Sequence, residues 1–223
     1  MSWLKKLGIG GGEGEEKRTE PRRLEHPRDL LLGDMVKFEF SAQREISNKI
    51  FTVTRMWTLS SGEGAADQQH YFGLEEGGNM VRLRVVDEAQ VEIAIEILPD
   101  RLLQLFKQKN IVDLLESEGS LGLLKRRKPE KVPDTLHPWS APLYRQESFL
   151  LAYRFEGDYR TQQLPDGAGE GEVGCDYRRL VSDDRLYSVE FRVFDGGRTE
   201  VHLGVVIPRR KLEELWPASS ANR

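Results

Sequence analysis

Four polar residues near the end of the chain carry side chains that are suited to acid–base chemistry: Glu190, Arg192, Glu200 and His202. They alternate with apolar residues on both sides of a Gly-rich turn, so they share one face of a predicted β-hairpin. A carboxylate, a guanidinium and an imidazole on one face are sufficient to bind a ligand or to move a proton. The same residue types also cover ordinary solvated sheet faces, where ion pairs need no function. We expect a solvated face and keep the four residues as a candidate polar face.

The other residue types that support catalysis are dispersed along the sequence. The histidines are His26, His70, His137 and His202. None lies at metal-ligand spacing from another, and the sequence contains no HExxH or GxSxG motif. The single cysteine, Cys175, precedes Asp176, and an acidic neighbour raises rather than lowers the pKa of a thiol. The sequence therefore predicts a packed cysteine, and it predicts no catalytic residue, metal ligand or cofactor.

Composition limits the class of protein. A chain of 223 residues suits one large domain or two small ones, and a hydrophobic fraction of 38% is enough to build a core. The net charge of −4 argues against a general nucleic-acid binder, which would carry a basic excess. One cysteine excludes an internal disulfide and fits a reducing compartment. No run of residues reaches the roughly 18 apolar positions of a membrane span, so a cytoplasmic protein is expected.

The first nine residues form a small amphipathic unit. Apolar side chains fall at helical spacing with lysines between them, which suits peripheral contact with an anionic membrane. A frayed terminus, or a segment that docks on its own core, is the alternative. The residues for membrane contact are Trp3, Leu4, Lys5, Lys6 and Leu7. Gly, Glu, Lys and Arg dominate the stretch that follows, so residues 1–29 are predicted to be an amphipathic N-terminus and a flexible tether. Residues 10–28 are predicted not to pack on the core.

Two β-rich regions follow the tether. Residues 30–98 show five strand patterns joined by short turns, which predicts a meander that curls into a small barrel or half-barrel. The strand patterns are 35–40, 50–59, 71–74, 80–86 and 91–97. Residues 99–136 are predicted to hold one helix over about 100–117, with a break at Asn110, and then the charged linker KRRKPEK.

Residues 137–217 form the second β region. Its strand patterns are 149–155, 175–181 and the hairpin strands of 187–207, and a last helical turn is predicted after Pro208. Residues 218–223 are a tail. The predicted fold class is α+β, mostly β, with two β-rich regions, small barrel or curled antiparallel sheets, joined by a helix. Whether the two regions form one domain or two stays open.

The length of the hairpin turn can be predicted from the alternation of apolar and polar residues in its two strands. A two-residue turn at Gly196-Gly197 would place the apolar residues of one strand opposite the polar residues of the other. Pairing Val193 with Val201 instead keeps both apolar rows on one face. We therefore predict a three-residue loop, or a two-residue turn corrected by a β-bulge, with a glycine at positive φ. On this pattern Leu203 faces the core and His202 faces away from it.

Three stretches resemble a known family. The opening MSWLKKL with its glycine tether, the Leu32-Gly33-Asp34 turn before the first strand, and VEFRVFDGGRTEV over residues 189–201 are similar to the YjfK-like family of uncharacterised bacterial proteins. The resemblance covers most of the chain, and its motifs are turn and strand features rather than catalytic ones. No activity or site residue transfers from it. It implies a bacterial cytoplasmic protein that works near the inner membrane, among membrane-stress proteins of the phage-shock type.

Two functions are compatible with these observations. The first is a non-enzymatic binding or scaffold protein that engages a protein partner, near the inner membrane in envelope stress. The alternative is a small-ligand binder or an enzyme, with a pocket between the two β regions. A deep pocket lined by converging buried polar groups would favour the alternative.

Overall fold

The computed structural model describes residues 22–62, 67–117, 122–165 and 172–218. The protein is mostly β, and the two α-helices of the described residues lie between two groups of strands, which confirms the predicted fold class. None of the helices in these ranges is long and apolar enough to span a membrane.

The strands and helices follow the predicted order. The first strands are β1 (Met35–Phe38), β2 (Ile50–Ser60), β3 (Gln69–Glu76), β4 (Asn79–Val85) and β5 (Gln90–Glu96). The helices are α1 (Pro99–Leu105) and α2 (Gln108–Glu116). The later strands are β6 (Leu123–Lys125), β7 (Leu143–Glu156), β8 (Glu172–Ser182), β9 (Tyr187–Phe194), β10 (Thr199–Pro208) and β11 (Leu212–Trp216).

All strands of the described residues belong to one antiparallel sheet. Its order is β11-β1-β2-β3-β4-β5-β10-β9-β8-β7-β6, and β7 also pairs with β2 through residues 153–156 and 57–60. β2 to β5 and β7 to β10 therefore close into an eight-stranded barrel, which both β regions build together. A barrel of eight strands has an interior just wide enough for side chains or for one small ligand.

The inside of the barrel can be identified from one long contact. The Arg192 guanidinium on β9 lies 5.4 Å from the ring centre of Tyr71 on β3, although three strands separate β3 from β9 in the sheet. Across a flat sheet these strands would lie about 19 Å apart, so only strong curvature brings the two residues together. The face that carries them is the inner face, and it also holds a small apolar cluster with Trp57, Tyr177 and Cys175.

The larger apolar core packs on the outer face of the barrel. Leu203 and Phe191 are fully buried there, because they alternate with the inward-pointing residues of β10 and β9. Residues of α1 and α2 and the Trp139 side chain belong to the same apolar cluster. The helices therefore cover the barrel wall from outside, and the inner wall is left to polar side chains.

The predicted helix over 100–117 is broken, but the predicted position of the break at Asn110 is wrong. The chain leaves helical geometry at Phe106, four residues before the expected break, where φ is −124° and ψ is 156°. Phe106 forms a β-bridge with Arg126, and its buried ring packs edge-on against Tyr144 at 5.9 Å. Part of the predicted linker is thus ordered, since Lys125 ends β6 and the Arg126 amide donates to the Pro142 carbonyl.

Both ends of the described chain pack more closely than predicted. Residues 1–21 lie outside the described residues, but His26 and Pro27 are buried and Leu24 packs against the core, so the predicted lack of packing is wrong for residues 24–27. The predicted last helical turn is only a 3₁₀ turn over Arg209–Lys211, and the chain continues as β11. β11 pairs with β1, which would otherwise be an unpaired edge of the sheet.

The hairpin confirms the argument from alternation but not the predicted partners. The loop is three residues long, Asp195–Gly197, and Gly196 and Gly197 both have φ near +80°. Val193 pairs with Thr199, so the register differs by two residues from the predicted pairing with Val201. A shift of two keeps every side chain on its predicted face. The Phe194 amide, which donates to the Arg198 carbonyl at 2.9 Å, closes the loop one position earlier than expected.

Candidate functional site

The four residues of the candidate polar face share one face as predicted, but that face is not solvated. Glu190, Arg192 and His202 are 0%, 1% and 8% exposed, and Glu200 is half-buried. The expectation of a solvent-exposed face is therefore wrong. The alternation of the hairpin is correct, but barrel closure turns this face inwards, and local periodicity contains no information on closure.

Glu190 and Arg192 belong to a larger group of charged side chains inside the barrel. We call this group the inner ion-pair cluster; its members are Arg82, Arg84, Glu92, Arg179, Glu190 and Arg192. Glu190 is held by Arg82 at 2.6 Å and by Arg179 at 2.7 Å. Glu92 is held by Arg179 at 2.5 Å and by Arg84 at 2.9 Å. The cluster joins strands from both β regions.

Two small residues allow these long side chains to lie across the sheet. Arg82 on β4 reaches Glu190 on β9 over the intervening strands β5 and β10, where Ala94 and Gly204 are paired. A Cβ atom on Gly204 would lie 2.3 Å from Ser188 Oγ and 3.2 Å from the Glu92 carboxyl group. Gly204 is therefore needed for close approach, and a larger residue would displace Glu92.

The buried carboxylates are kept ionised by their arginines. Burial alone would raise the pKa of Glu190, but the guanidiniums of Arg82, Arg179 and Arg192 hold that pKa well below its ordinary value. Burial likewise opposes ionisation of Glu92, and Arg179 and Arg84 lower its pKa. Each carboxylate thus remains charged because it is paired and hydrogen-bonded in several directions.

The cluster carries an excess of positive charge. Its four guanidiniums share the two carboxylates of Glu92 and Glu190. His202 does not add to the charge, because burial, with Arg82 and Arg192 nearby, lowers the pKa of its imidazole well below its ordinary value. A buried positive excess of this kind favours an anion as a neighbour.

A cavity of about 500 Å³ opens at the end of the barrel where β2 ends and β3 begins. We call it the mouth cavity. Its inner wall comes from the concave face of both β regions and includes Leu59, Gln69, Arg84, Leu150, Ala152 and Tyr177. The opposite wall comes from the other face of β3 and from segments before β1 and after β7, and it includes Arg28, His70, Phe72 and Arg160.

The outer rim of the mouth cavity is held in place by its own polar contacts. Arg160 donates to Asp158 at 2.6 and 2.7 Å and to the Arg28 carbonyl, and it lies over the Phe72 ring at 5.2 Å. His70 shares a 2.8 Å hydrogen bond with Thr58. Burial and the nearby Arg160 lower the pKa of His70 below its usual value. The rim therefore presents a fixed guanidinium and a neutral imidazole.

Two polar atoms on the inner wall have no hydrogen-bond partner among the described residues. They are Arg84 Nε and the Tyr177 hydroxyl, and both are shielded from solvent. Burial raises the pKa of Tyr177 well above its ordinary value, so the hydroxyl keeps its proton and is available as a donor. Other buried atoms of the described residues, such as Arg192 Nε and His202 Nδ1, also lack a partner, but these two belong to residues that line the cavity. Their position in the cavity wall indicates two donors suited to a ligand.

The remaining sequence candidates do not extend this site. Cys175 is buried, as predicted for a packed cysteine, and burial raises the pKa of its thiol. Within the described ranges, no three His, Cys, Asp or Glu side chains are grouped so that they could hold a metal ion. The membrane-contact residues Trp3, Leu4, Lys5, Lys6 and Leu7 lie outside the described residues.

Five residues that complete the site were not among the candidates from the sequence. Arg82, Arg84 and Glu92 alternate with buried apolar residues in β4 and β5, as the hairpin residues do in β9 and β10. Tyr177 and Arg179 follow the same pattern in β8. The shared alternation of charges in neighbouring strands was the available signal, because it places opposite charges on one continuous face.

No protein-family model, curated protein or solved structure matches this chain. The similarity to the YjfK-like family therefore stays a prediction. The function is accordingly inferred from the geometry of the mouth cavity and of the inner ion-pair cluster.

The free energy of unfolding should fall as the pH drops below about 6.5. His202 resists protonation in the folded state because it is buried and lies near Arg82, Arg192 and Arg154. The carboxylates of its paired residues, Glu190 on β9 and the exposed Glu96 on β5, do not offset this. The unfolded chain takes up the proton, so stability is lost below the ordinary pKa of histidine. One excluded proton gives a slope of about 1.4 kcal/mol per pH unit.

Urea unfolding between pH 5 and 7.5 measures this slope. His202→Gln should reduce the slope by about 1.4 kcal/mol per pH unit, which is the contribution of one proton. His137→Gln, on a 3₁₀ turn outside the barrel, is the control. Equal slopes for the unaltered protein and His202→Gln would show that the imidazole is not excluded from protonation.

Proposed function

We propose that the protein binds a small organic molecule in the mouth cavity. The observation that carries this proposal is a cavity of about 500 Å³ whose inner wall contains two buried donors, Arg84 Nε and the Tyr177 hydroxyl, without partners among the described residues. Ligand sites in proteins usually measure about 300–1,000 Å³ and combine an apolar lining with a few placed polar groups.

The composition of the walls supports this proposal. Leu59, Leu150, Ala152 and Phe72 provide apolar surface, and the polar groups lie on the sides of Arg84 and Arg160. The cavity lies between the two β regions, because β2 to β4 contribute one part of it and β7 and β8 the other. This is the position that the small-ligand alternative requires.

The proposal is limited to binding. His70 is hydrogen-bonded to Thr58, and Arg160 is bonded to Asp158, so these rim groups are suited to fix a ligand rather than to exchange protons with it. The other hypothesis, a scaffold that engages a protein partner near the inner membrane, remains a prediction. It depends on the family resemblance and on an N-terminal segment that lies outside the described residues.

A tryptophan at position 150 tests the proposal. Leu150 is half-buried in the cavity wall and packs at the edge of the inner apolar cluster, so Leu150→Trp should place a larger ring in the cavity. A library of small organic molecules is screened by thermal unfolding. A ligand at about 100 times its Kd adds about 2.7 kcal/mol, which should raise Tm by roughly 5–10 °C for a chain of this size. We expect that rise to be lost in Leu150→Trp.

Leu151→Trp is the matched control. Leu151 is the next residue of β7 and is 52% exposed, so its side chain points away from the cavity. Ligands that stabilise the unaltered protein should stabilise Leu151→Trp equally. If every ligand found in the screen stabilises Leu150→Trp as strongly as the control, the mouth cavity is not the binding site.

A further inference from the structure

We infer that the molecule bound in the mouth cavity is an organic acid, whose oxyanion group contacts Arg84 and whose apolar body lies against Leu150 and Ala152. This inference rests on the proposed ligand-binding function and adds the chemical class of the ligand. Carboxylate, sulfonate and phosphate groups share the required chemistry.

The first support is the shortage of carboxylates around Arg84. Glu92 is the carboxylate that Arg84 contacts, at 2.9 Å, and the same group is shared with Arg179 at 2.5 Å and with Arg82 at 3.6 Å. Three guanidiniums thus compete for one carboxylate. A second anion next to Arg84 would compensate charge that is now buried with too few partners.

The second support is that two cavities meet at Arg84. A second cavity of about 540 Å³ adjoins the mouth cavity, and both are lined by Gln69, Arg84, Val86 and Ser148. Arg179 and Arg185 line the second cavity, and its Glu147 is already held by both of these arginines. Arg84 therefore lines two adjoining cavities, and in the second it lies beside Arg179 and Arg185.

The third support is that the two unpartnered atoms of the inner wall, Arg84 Nε and the Tyr177 hydroxyl, are both hydrogen-bond donors. A guanidinium nitrogen can only donate, and the Tyr177 hydroxyl keeps its proton because burial raises its pKa. Asp67, the carboxylate in the wall of the mouth cavity, already accepts hydrogen bonds from Ser60 and from the Ser61 amide. The site thus offers donors, and an oxyanion is the group that accepts from several donors at once.

The apolar wall excludes a purely inorganic anion as the best ligand. Leu59, Leu150 and Ala152 line the part of the cavity that lies beside Tyr177, on the same inner face. Apolar surface of a ligand placed there is removed from water, which favours binding. An organic acid with an apolar body can contact both Arg84 and this apolar wall.

Two fluorescent probes that differ in one charged group test the inference. They are 8-anilinonaphthalene-1-sulfonate and N-phenyl-1-naphthylamine, which share their ring system, but only the first carries a sulfonate. A hydrogen bond to a charged group is worth about 1.5–3 kcal/mol, so the sulfonate should bind at least tenfold more tightly to the unaltered protein. Inorganic sulfate at the same ionic strength should displace it only weakly.

Variants of the cavity walls test whether the difference in affinity between the two probes arises in the mouth cavity. Leu150→Trp should weaken the binding of both probes, and Leu151→Trp should weaken the binding of neither. Arg84→Gln should reduce the affinity for the sulfonate to that for the neutral probe. Arg160→Gln, on the opposite wall and outside the inner ion-pair cluster, should weaken binding of the sulfonate less than Arg84→Gln does. Circular dichroism checks the fold of Arg84→Gln, and the comparison of the two probes on the unaltered protein does not depend on any variant.

The outcomes separate this inference from the function on which it rests. If both probes bind equally and Leu150→Trp weakens both, the ligand is not an acid, but ligand binding in the cavity stands. If sulfate displaces the sulfonate probe with an affinity equal to that of the probe itself, the site binds inorganic anions. The proposal of an organic ligand is then wrong. If Leu150→Trp changes neither probe and the library screen gives no ligand that depends on it, the ligand-binding function itself is overturned.

Discussion

Glu190→Gln should lower the free energy of unfolding by about 3–5 kcal/mol, the typical cost of breaking a buried ion pair by removing one partner. The carboxylate of Glu190 is fully buried and contacts Arg82, Arg179 and Arg192. Glutamine has nearly the same shape, so packing is preserved while three guanidiniums lose a shared negative charge. Urea unfolding at neutral pH, followed by circular dichroism, measures the loss.

Glu75→Gln is the control for this prediction. Glu75 lies on β3, in the same barrel, but its side chain is exposed, so the substitution should change the free energy of unfolding by less than about 0.5 kcal/mol. A loss for Glu190→Gln that is no larger than the loss for Glu75→Gln would mean that the carboxylate of Glu190 does not hold the cluster together.

Leu203→Ala should cost about 2–5 kcal/mol of stability, because it removes a large side chain from a close-packed core. Leu203 is fully buried on the outer face of β10, in the apolar cluster that includes residues of α1 and α2. Those covering elements limit how far the site can collapse, so a cavity should remain. Urea unfolding of the variant gives the loss directly.

Leu151→Ala makes the same chemical change on an exposed strand position. Its loss should stay below about 0.5 kcal/mol, because the side chain is half in solvent already. Equal losses for the two variants would show that the outer face of β10 is not a packed core. The earlier expectation that only Leu203 is buried is corrected: His202, on the opposite face, is buried inside the barrel.

Most of the strands could be predicted from the sequence because each carries its own alternation. β2, β5, β9 and β10 are rich in β-branched or aromatic residues, and each is covered on at least one face. β6 and β11 could not be predicted in this way. They have only three and five residues, and they are strands because β7 and β1 offer them an edge.

The helical region illustrates a different limit. The apolar spacing over residues 100–117 is correct for both helices, but periodicity does not show where a side chain must leave the helix. Phe106 does so because its ring fits against Tyr144, a residue far away in sequence. Tertiary packing overrides the local preference at that position.

The shared face of the candidate site could be predicted from the sequence, but its burial could not. The sequence correctly places Glu190, Arg192, Glu200 and His202 on one face, because opposite residues of a sheet point to the same side. It could not show that this face is enclosed. Enclosure depends on the pairing of residues 57–60 with 153–156, two segments that are distant in sequence.

The position of β5 in the sheet has a consequence for the growing chain. β5 pairs with β10, which follows roughly a hundred residues later, so at ordinary rates of synthesis one edge of β5 waits on the order of ten seconds for its partner. An unpaired edge with the sequence VEIAIEI is a template for association with other nascent chains. Glu92 and Glu96 interrupt its apolar residues with negative charge and oppose such association. The glutamate that later binds arginines inside the barrel thus first protects the strand during translation.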